Sequence, residues 1–205
     1  MDQLRRVWRS WRARRRPRTA TVGVASSNSK QGVRDHTAAG CLFTNGHTVL
    51  AGYQPHKKRP FVSGLGGGRE GAEQYWETAF RETVEELFHV TPTPALVQAL
   101  QRETGGGAEM LMKGGYVALV LDYEQLTVVL ALCREHGVRS PLYETMPGSL
   151  AELLTAKRVP HRDAEVSHLC LLPLSSPLCI DDAFQQDLAE LVRRRRGGAA
   201  TGTIE

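Results

Sequence analysis

Residues 64–68 read Gly-Leu-Gly-Gly-Gly and lead into a stretch, ending at 89, whose charged and apolar residues recur with the period of a helix. At about 100° per residue, Glu82, Glu85 and Glu86 fall on one face, and Phe80, Val84, Leu87 and Phe88 occupy the opposite one. The apolar stripe is read as facing the core and the acids as facing out together. Gly64, Gly66, Gly67 and Gly68 let the backbone turn sharply just before that helix and approach a ligand with no Cβ in the way. Any fold for this chain has to deliver a glycine turn directly into a half-buried helix.

Carboxylates at i, i+3 and i+4 repel one another and weaken a helix by a few tenths of a kcal/mol per pair. A divalent cation removes that repulsion. Oxygen ligands with no Cys or His among them select magnesium or manganese, Mg²⁺ or Mn²⁺, over zinc, and a hydrated magnesium ion commonly bridges carboxylates to a substrate's phosphates. Taken alone, such an acidic face reads first as a solvated surface, which is what most Glu runs are. Joined to the glycine stretch and to Glu73 at a fixed spacing, it favours catalysis.

The stretch Gly67 to His89 resembles the Nudix box, G-x5-E-x7-R-E-U-x-E-E-x-G-U, where U is aliphatic. Gly67, Glu73, Arg81, Glu82, Glu85 and Glu86 stand at its fixed positions, a span far more specific than a lone glycine fingerprint. Similarity to the Nudix hydrolase family implies that Glu82, Glu85 and Glu86 hold the metal, with the carbonyl of Gly66 as a further ligand. It also implies that Arg81 pairs with an acid of the box, Glu73, and fixes the ligands' orientation; a plain surface salt bridge is the alternative for that pair. The implied fold is of the α/β class, an α/β/α sandwich with a mixed sheet. Three positions depart from the box: Thr83 stands where an aliphatic residue is usual, Phe88 replaces the glycine that ends the helix, and His89 replaces the last aliphatic. None removes a carboxylate. Because Phe88 adopts positive φ less readily than glycine, the helix is expected to run on to Val90 or Thr91, before Pro92 and Pro94 end it. His89 reads as a capping or dipole partner at the helix end, with a substrate contact as the alternative.

With 205 residues and 41% apolar side chains, the chain suits one α/β domain with extensions. No run approaches the length of a membrane span and the first residues lack the apolar stretch of a secretory signal, so a soluble intracellular protein is expected. The cytoplasm is the expected compartment, with nuclear or organellar placement through the basic N-terminal arm as alternatives. Cys41, Cys133, Cys170 and Cys179 show no C-x-x-C spacing and read as buried free thiols. The net charge of +4 conceals a segregation, since residues 1–18 carry +7 and residues 193–205 carry +3, leaving −6 for residues 19–192. An acidic core must rely on metal to accept a polyphosphate, whereas basic ends can hold an RNA backbone or an anionic surface.

Residues 1–36 are read as a basic arm and linker, 37–195 as the hydrolase domain and 196–205 as a disordered tail. In the arm, Leu4, Val7, Trp8 and Trp11 form a stripe ringed by Arg5, Arg6, Arg9 and Arg12. That pattern fits an RNA-binding arm, a membrane-surface helix, a nuclear signal, a transit peptide or a solvated tail. Thr37 to Thr44 and Thr48 to Tyr53 flank Asn45-Gly46, the strongest short signal for a β-hairpin. His56 to Arg59 form a basic loop. Ala95 to Thr104 and Met110 to Asp122, on either side of Gly105-Gly106-Gly107, are expected as strands. Tyr123 to His136 and Ser149 to Lys157 are expected as helices of an insertion over 123–160, serving as a lid, a substrate wall or a structural appendage. A late strand is expected after Glu165. The closing helix is expected over Asp181 to Arg195, with Phe184, Leu188, Leu191 and Val192 inward.

The resemblance implies attack of a metal-activated water on a phosphoanhydride in a nucleoside diphosphate linked to another group. The general base is Glu85, Glu86 or an acid from outside the box, for which Glu165 is the candidate, ahead of Glu144 and Glu109. Some members of the family, several viral ones among them, remove the 5′ cap of messenger RNA, and the Arg-rich ends favour so large a polyanion. Capped RNA is therefore the expected substrate and RNA the expected partner of the ends. A small-nucleotide pyrophosphatase acting on nucleoside diphosphate sugars, dinucleoside polyphosphates or diphosphoinositol phosphates is the alternative. A non-catalytic RNA-binding module on the same fold is a third reading, and the intact acids argue against it.

Overall fold

A computed structural model describes residues 36–55, 61–105, 108–175 and 181–199, with side chains described through Arg195. The described residues belong to the unit Gln31–Glu205. The expectations for residues 1–35, for the basic loop His56 to Arg59, for Cys179 and for residues 200–205 lie outside them.

The Asn45-Gly46 turn forms as its chemistry requires. Asn45 Oδ1 accepts from the backbone N–H groups of His47 and Thr48, both at 2.9 Å, and Gly46 takes φ 93°. The flanking strands β1 (Ala38–Phe43) and β2 (Thr48–Gln54) nevertheless do not make the expected hairpin ladder, because a single bridge, Thr44 to Val49, joins them before they part. Both strands are buried almost throughout, so each needs neighbours of its own and cover on both faces. β1 lies between β4 (Leu65–Gly68), antiparallel, and β6 (Tyr116–Leu121), parallel; β5 (Glu109–Lys113) completes a mixed sheet of order β4-β1-β6-β5. β2 goes to a second sheet between β3 (Phe61–Ser63) and β7 (His168–Pro173).

Alternation along β1 and β6 divides the core. Ala39, Cys41, Phe43, Val117, Leu119 and Leu121 pack with the helices α1 (Tyr75–Phe88), α2 (Pro94–Leu100) and α3 (Tyr123–Glu135). On the other face, Leu42, Ala118 and Val120 pack with β2, β7 and Phe184, Leu188 and Leu191 of α5 (Asp182–Ala199). The chain is thus of the α/β class, with a mixed sheet between layers. α5 runs through Ala199, past Arg195, where the closing helix was expected to end. Among the described residues, no helix is long and apolar enough to cross a membrane. Cys41 and Cys133 are buried free thiols, each pushed by burial to about 12, and Cys170 is half-buried and free.

Ala95 to Thr104, expected as a strand, is instead α2 followed by a wide helical turn over Gln101–Gly105. A short apolar run is ambiguous by periodicity, and here its opening decides: Thr93 Oγ1 accepts from Leu96 N (3.3 Å) and Pro94 stands at the first helical position. Met110 to Asp122 is two strands rather than one, joined through Gly114 and Gly115 at φ 52° and 86°.

Within the 123–160 insertion, both expected helices form: Asp122 caps α3 with its reciprocal partner Gln125, and Ser149 caps α4 (Leu150–Thr155) as expected. Leu126, Leu130, Leu142, Tyr143 and Leu153 join the same buried cluster as α1. The insertion is therefore part of the core, and none of its residues lines the cavities described below.

Candidate active site

α1 carries the box with its apolar stripe against β1 and β4. Thr83, the polar residue at an aliphatic position, is fully buried, and its hydroxyl donates to Ala79 O one turn back (2.7 Å), so it leaves no unpaired group. The helix does not run on to Val90. Phe88 is locked in the core edge-on to Tyr143, with ring centroids 6.1 Å apart, and its carbonyl accepts from Ser140 Oγ (2.6 Å). The left-handed position that a glycine would take at 88 moves one residue on, to His89 (φ 52°, ψ 46°), whose N–H donates to Glu85 O (2.7 Å).

The glycines serve a different purpose from the one expected. Gly66, Gly67 and Gly68 form most of β4 and pair with β1, and none of them has positive φ. What they supply is close approach. A Cβ on Gly66 would lie 2.6 Å from Gly40 Cα and from Tyr116 Oη, and a Cβ on Gly67 would fall on the Glu82 carboxylate, 2.6 Å from its Cδ. The bare Gly66 lets β4 lie close against β1 and Tyr116, and the bare Gly67 leaves room for the Glu82 carboxylate.

Arg81, buried on α1, organises the acids. Its Nε and Nη2 donate to Glu73 (2.7 and 3.1 Å), Nη2 also donates to Gly68 O (2.7 Å), and Nη1 donates to Glu82 (2.8 Å) and Glu85 (2.9 Å). Glu73 accepts further from Thr78 Oγ1 and from Glu70 N (2.8 and 3.0 Å). Partial burial works to raise its pKa, but the bonds from Arg81, Glu70 and Thr78 prevail and hold it down at about 2. Glu82 goes the other way: burial pushes its pKa up, and the charges of Glu85 and Glu165 add to that against the bonds from Arg81.

Glu86 does not face out with its neighbours. It is buried, with Oε2 accepting from Gly66 N (2.7 Å) and Oε1 from Gln54 Nε2 (3.1 Å). A helical wheel shows direction but not that β4 and the end of β2 come to cover that direction. Gln54 was missed for the same reason, since nothing marks a glutamine at a strand end as a partner of the box.

Two cavities flank the acids. One, of about 390 Å³, is bounded by Ser63, Gly66 to Gly68, Tyr116 and Asp187; the other, of about 350 Å³, by Glu85, Glu86, His89, Thr91 and Asp163. Glu82 and Glu165 line both. Burial pushes Asp187 up to about 6 and raises Tyr116 as well, and neither was singled out in the sequence. Glu109 pairs with Arg194 on β5 (3.4 Å) and, like Glu144, lines neither cavity. Among the described residues, no group of three or more His, Cys, Asp or Glu side chains converges as a ready metal cage. The carboxylates are turned to Arg81 and Gly66 instead, and Glu70, Glu73, Glu82 and Glu85 share a single guanidinium.

No family model matches the chain, and no curated protein matches it in sequence. Among solved structures, it is similar to a Nudix hydrolase from M. smegmatis, RenU, at 19% identity over 83% of this chain and 90% of that one, with TM-score 0.39. A C. elegans Ap4A hydrolase is similar at 14% identity over 80% of this chain and 96% of that one, with TM-score 0.35. A bifunctional NMN adenylyltransferase/ADP ribose pyrophosphatase from Francisella tularensis follows at 10% identity over 94% of this chain, TM-score 0.42; this chain spans 46% of its length. Likeness at this level concerns the outline of the fold and lends no weight to substrate or site. Among the structures that the chain is similar to are Nudix hydrolases, the family that its box resembles.

Proposed function

We propose that the protein is a divalent-metal-dependent hydrolase of phosphoanhydride bonds in nucleoside diphosphate-linked compounds. The observation that carries this reading is the charge imbalance around Arg81 beside the cavities: Glu70, Glu73, Glu82 and Glu85 share one guanidinium. A cation relieves that imbalance, and the donor set, all oxygen, suits Mg²⁺ or Mn²⁺. Glu82, Glu85 and Glu86 would hold the ion, with the Gly66 carbonyl as a further ligand. When bound, it supplies charge neutralisation to the phosphates and acidifies water at the site.

The chain's own residues do the rest. Arg81, fixed by Glu73 and Gly68 O, holds Glu82 and Glu85 from one side, while Gly66 N–H and Gln54 keep Glu86 oriented from the other. The bare Cα of Gly67 leaves the Glu82 carboxylate uncovered. Glu165, on the wall common to both cavities, is the candidate base that takes the proton of the attacking water, with Glu85 and Glu86 as alternatives. Glu165→Gln is expected to lower kcat by about 10²-fold while Mn²⁺ affinity changes little. Parallel measurement of kcat and of Mn²⁺ binding checks this, and a wild-type kcat removes Glu165 from the mechanism.

For substrate, we propose the 5′ cap of messenger RNA, on the strength of the +7 and +3 ends around a core of −6. The domain from residue 37 would carry the chemistry and the arm would hold the RNA backbone. Cavities of about 390 and 350 Å³ also suit a free nucleotide, which keeps a small-nucleotide pyrophosphatase as the second reading. A panel of capped RNA, nucleoside diphosphate sugars, dinucleoside polyphosphates and diphosphoinositol phosphates, assayed with Mg²⁺ and with Mn²⁺, decides between them. Deleting residues 1–18 is expected to weaken RNA binding and flatten its salt dependence while hydrolysis of a small substrate survives. Unchanged binding and decapping by the truncated chain would transfer the choice to a small nucleotide.

A further inference from the structure

We propose that Arg158 is a positioning residue that locks the turn bearing Glu165 onto the C-terminal end of the box helix, and so sets Glu165 against the box acids. The proposal rests on the hydrolase reading above. Arg158 enters from the end of the insertion and ties three segments together through a single group. Its Nη2 donates to Glu86 O (3.2 Å) and to Val166 O (3.0 Å), and its Nη1 donates to Tyr143 Oη (3.2 Å). The guanidinium also lies over the Tyr143 ring, 5.3 Å from its centroid.

The last turn of α1 contains no basic residue, although its terminal carbonyls carry the negative end of the helix dipole beside a cluster of acids. Arg158 supplies that positive charge from elsewhere in the chain. Burial makes this costly: it pulls the guanidinium's pKa down, and Nε is buried with no hydrogen-bond partner. The side chain is held there by two main-chain carbonyls and a phenol rather than by a carboxylate. Both carbonyls belong to the site, one being that of a box acid and the other that of the residue after Glu165.

The turn itself is built to present one side chain. Ala164 and Val166 are buried, and Glu165 between them is exposed to the cavities. Val166 seats over Gly52 of β2, where an added Cβ would come within 2.8 Å of both its methyl groups, and His161 packs on His89 with ring centroids 4.3 Å apart. Those contacts place the turn near the helix end. Among the described residues, Arg158 alone bonds both backbones at once, and through it the insertion reaches the chemistry without lining either cavity.

The test uses the full chain as Arg158→Ala, Arg158→Lys and the double variant Arg158→Ala/Glu165→Gln. Hydrogen exchange is followed over residues 161–168, and kcat and KM are measured with Mg²⁺ on capped RNA or a nucleoside diphosphate sugar, whichever the wild type cleaves. Arg158→Ala is expected to raise exchange in 161–168 and to lower kcat about 10-fold or more with KM within about twofold, as a misplaced base does. The double variant is expected to be no slower than Glu165→Gln alone, because the two residues act as one unit. Arg158→Lys keeps the charge but cannot span three acceptors, so it should fold and recover part of kcat; it carries the test if the Ala variant does not fold. Unchanged exchange in 161–168, or losses that multiply in the double variant, would overturn the proposal and leave Arg158 a brace for stability alone. A wild type that cleaves no member of the panel would bring down the hydrolase reading and this proposal together.

Discussion

Glu85→Gln and Glu86→Gln are each expected to lower kcat by about 10²-fold or more, with the fold retained. The substitution is close to isosteric, and the contacts that would be broken are few. Glu85 makes one bond to Arg81 (2.9 Å), which an amide oxygen can still accept. Glu86 accepts from Gly66 N and from Gln54, and a glutamine there keeps an acceptor for Gly66 while Gln54 reverses its amide to meet the new donor. What disappears is charge. Four carboxylates around one guanidinium leave a cation to be bound, and removing one of the box acids removes much of the reason for it to bind. Thermal unfolding, Mn²⁺ affinity and kcat measured on the same preparations separate the two effects. Wild-type turnover in both variants would dismiss the box acids as a metal site.

Arg81→Ala should do the most damage to the structure itself. It leaves Glu73, Glu82, Glu85 and Gly68 O without their shared donor inside a partly desolvated cluster. Stripping one member from a buried charge network costs several kcal/mol; because Glu73 and Glu85 keep access to water, a loss of about 3 kcal/mol is expected in urea unfolding, with activity lost as well. The acid limb supplies an independent check. The folded pKa of Glu73 lies at about 2, below the ordinary 4.5, so its contribution is complete above the ordinary value and is lost as pH falls toward 2. In Arg81→Ala that part of the acid sensitivity should shrink. An unfolding curve that keeps the wild-type midpoint and acid limb would show that Arg81 is a surface ion pair of little consequence.

How much of this was legible in the sequence differs from residue to residue. Spacing alone placed Glu82, Glu85 and Arg81 on one helix, and the cap at Ser149 placed the start of α4, because those signals are local. Asn45-Gly46 specified a turn correctly and the pairing of its strands wrongly, since what β1 and β2 do beyond the turn is set by the strands that arrive later, β6 and β7. Ala95 to Thr104, expected as a strand, instead opens as a helix behind Thr93-Pro94, a helix-opening pair. The glycines of β4 looked like a flexible turn, but their absent side chains matter only once Tyr116 and Glu82 are brought beside them. Gln54 and Arg158 left no signal at all. Each is a single polar residue far from the box in sequence, and its role exists only through tertiary approach.

Hydrolysis carried out in heavy-oxygen water, first with Mg²⁺ and then with excess EDTA, bears most directly on whether these acids serve phosphoanhydride chemistry. The expected result is one heavy oxygen atom in a phosphate-bearing product, with turnover abolished by EDTA and restored by added Mg²⁺ or Mn²⁺. Heavy oxygen in a product fragment that bears no phosphate, or turnover undiminished in EDTA, would contradict it.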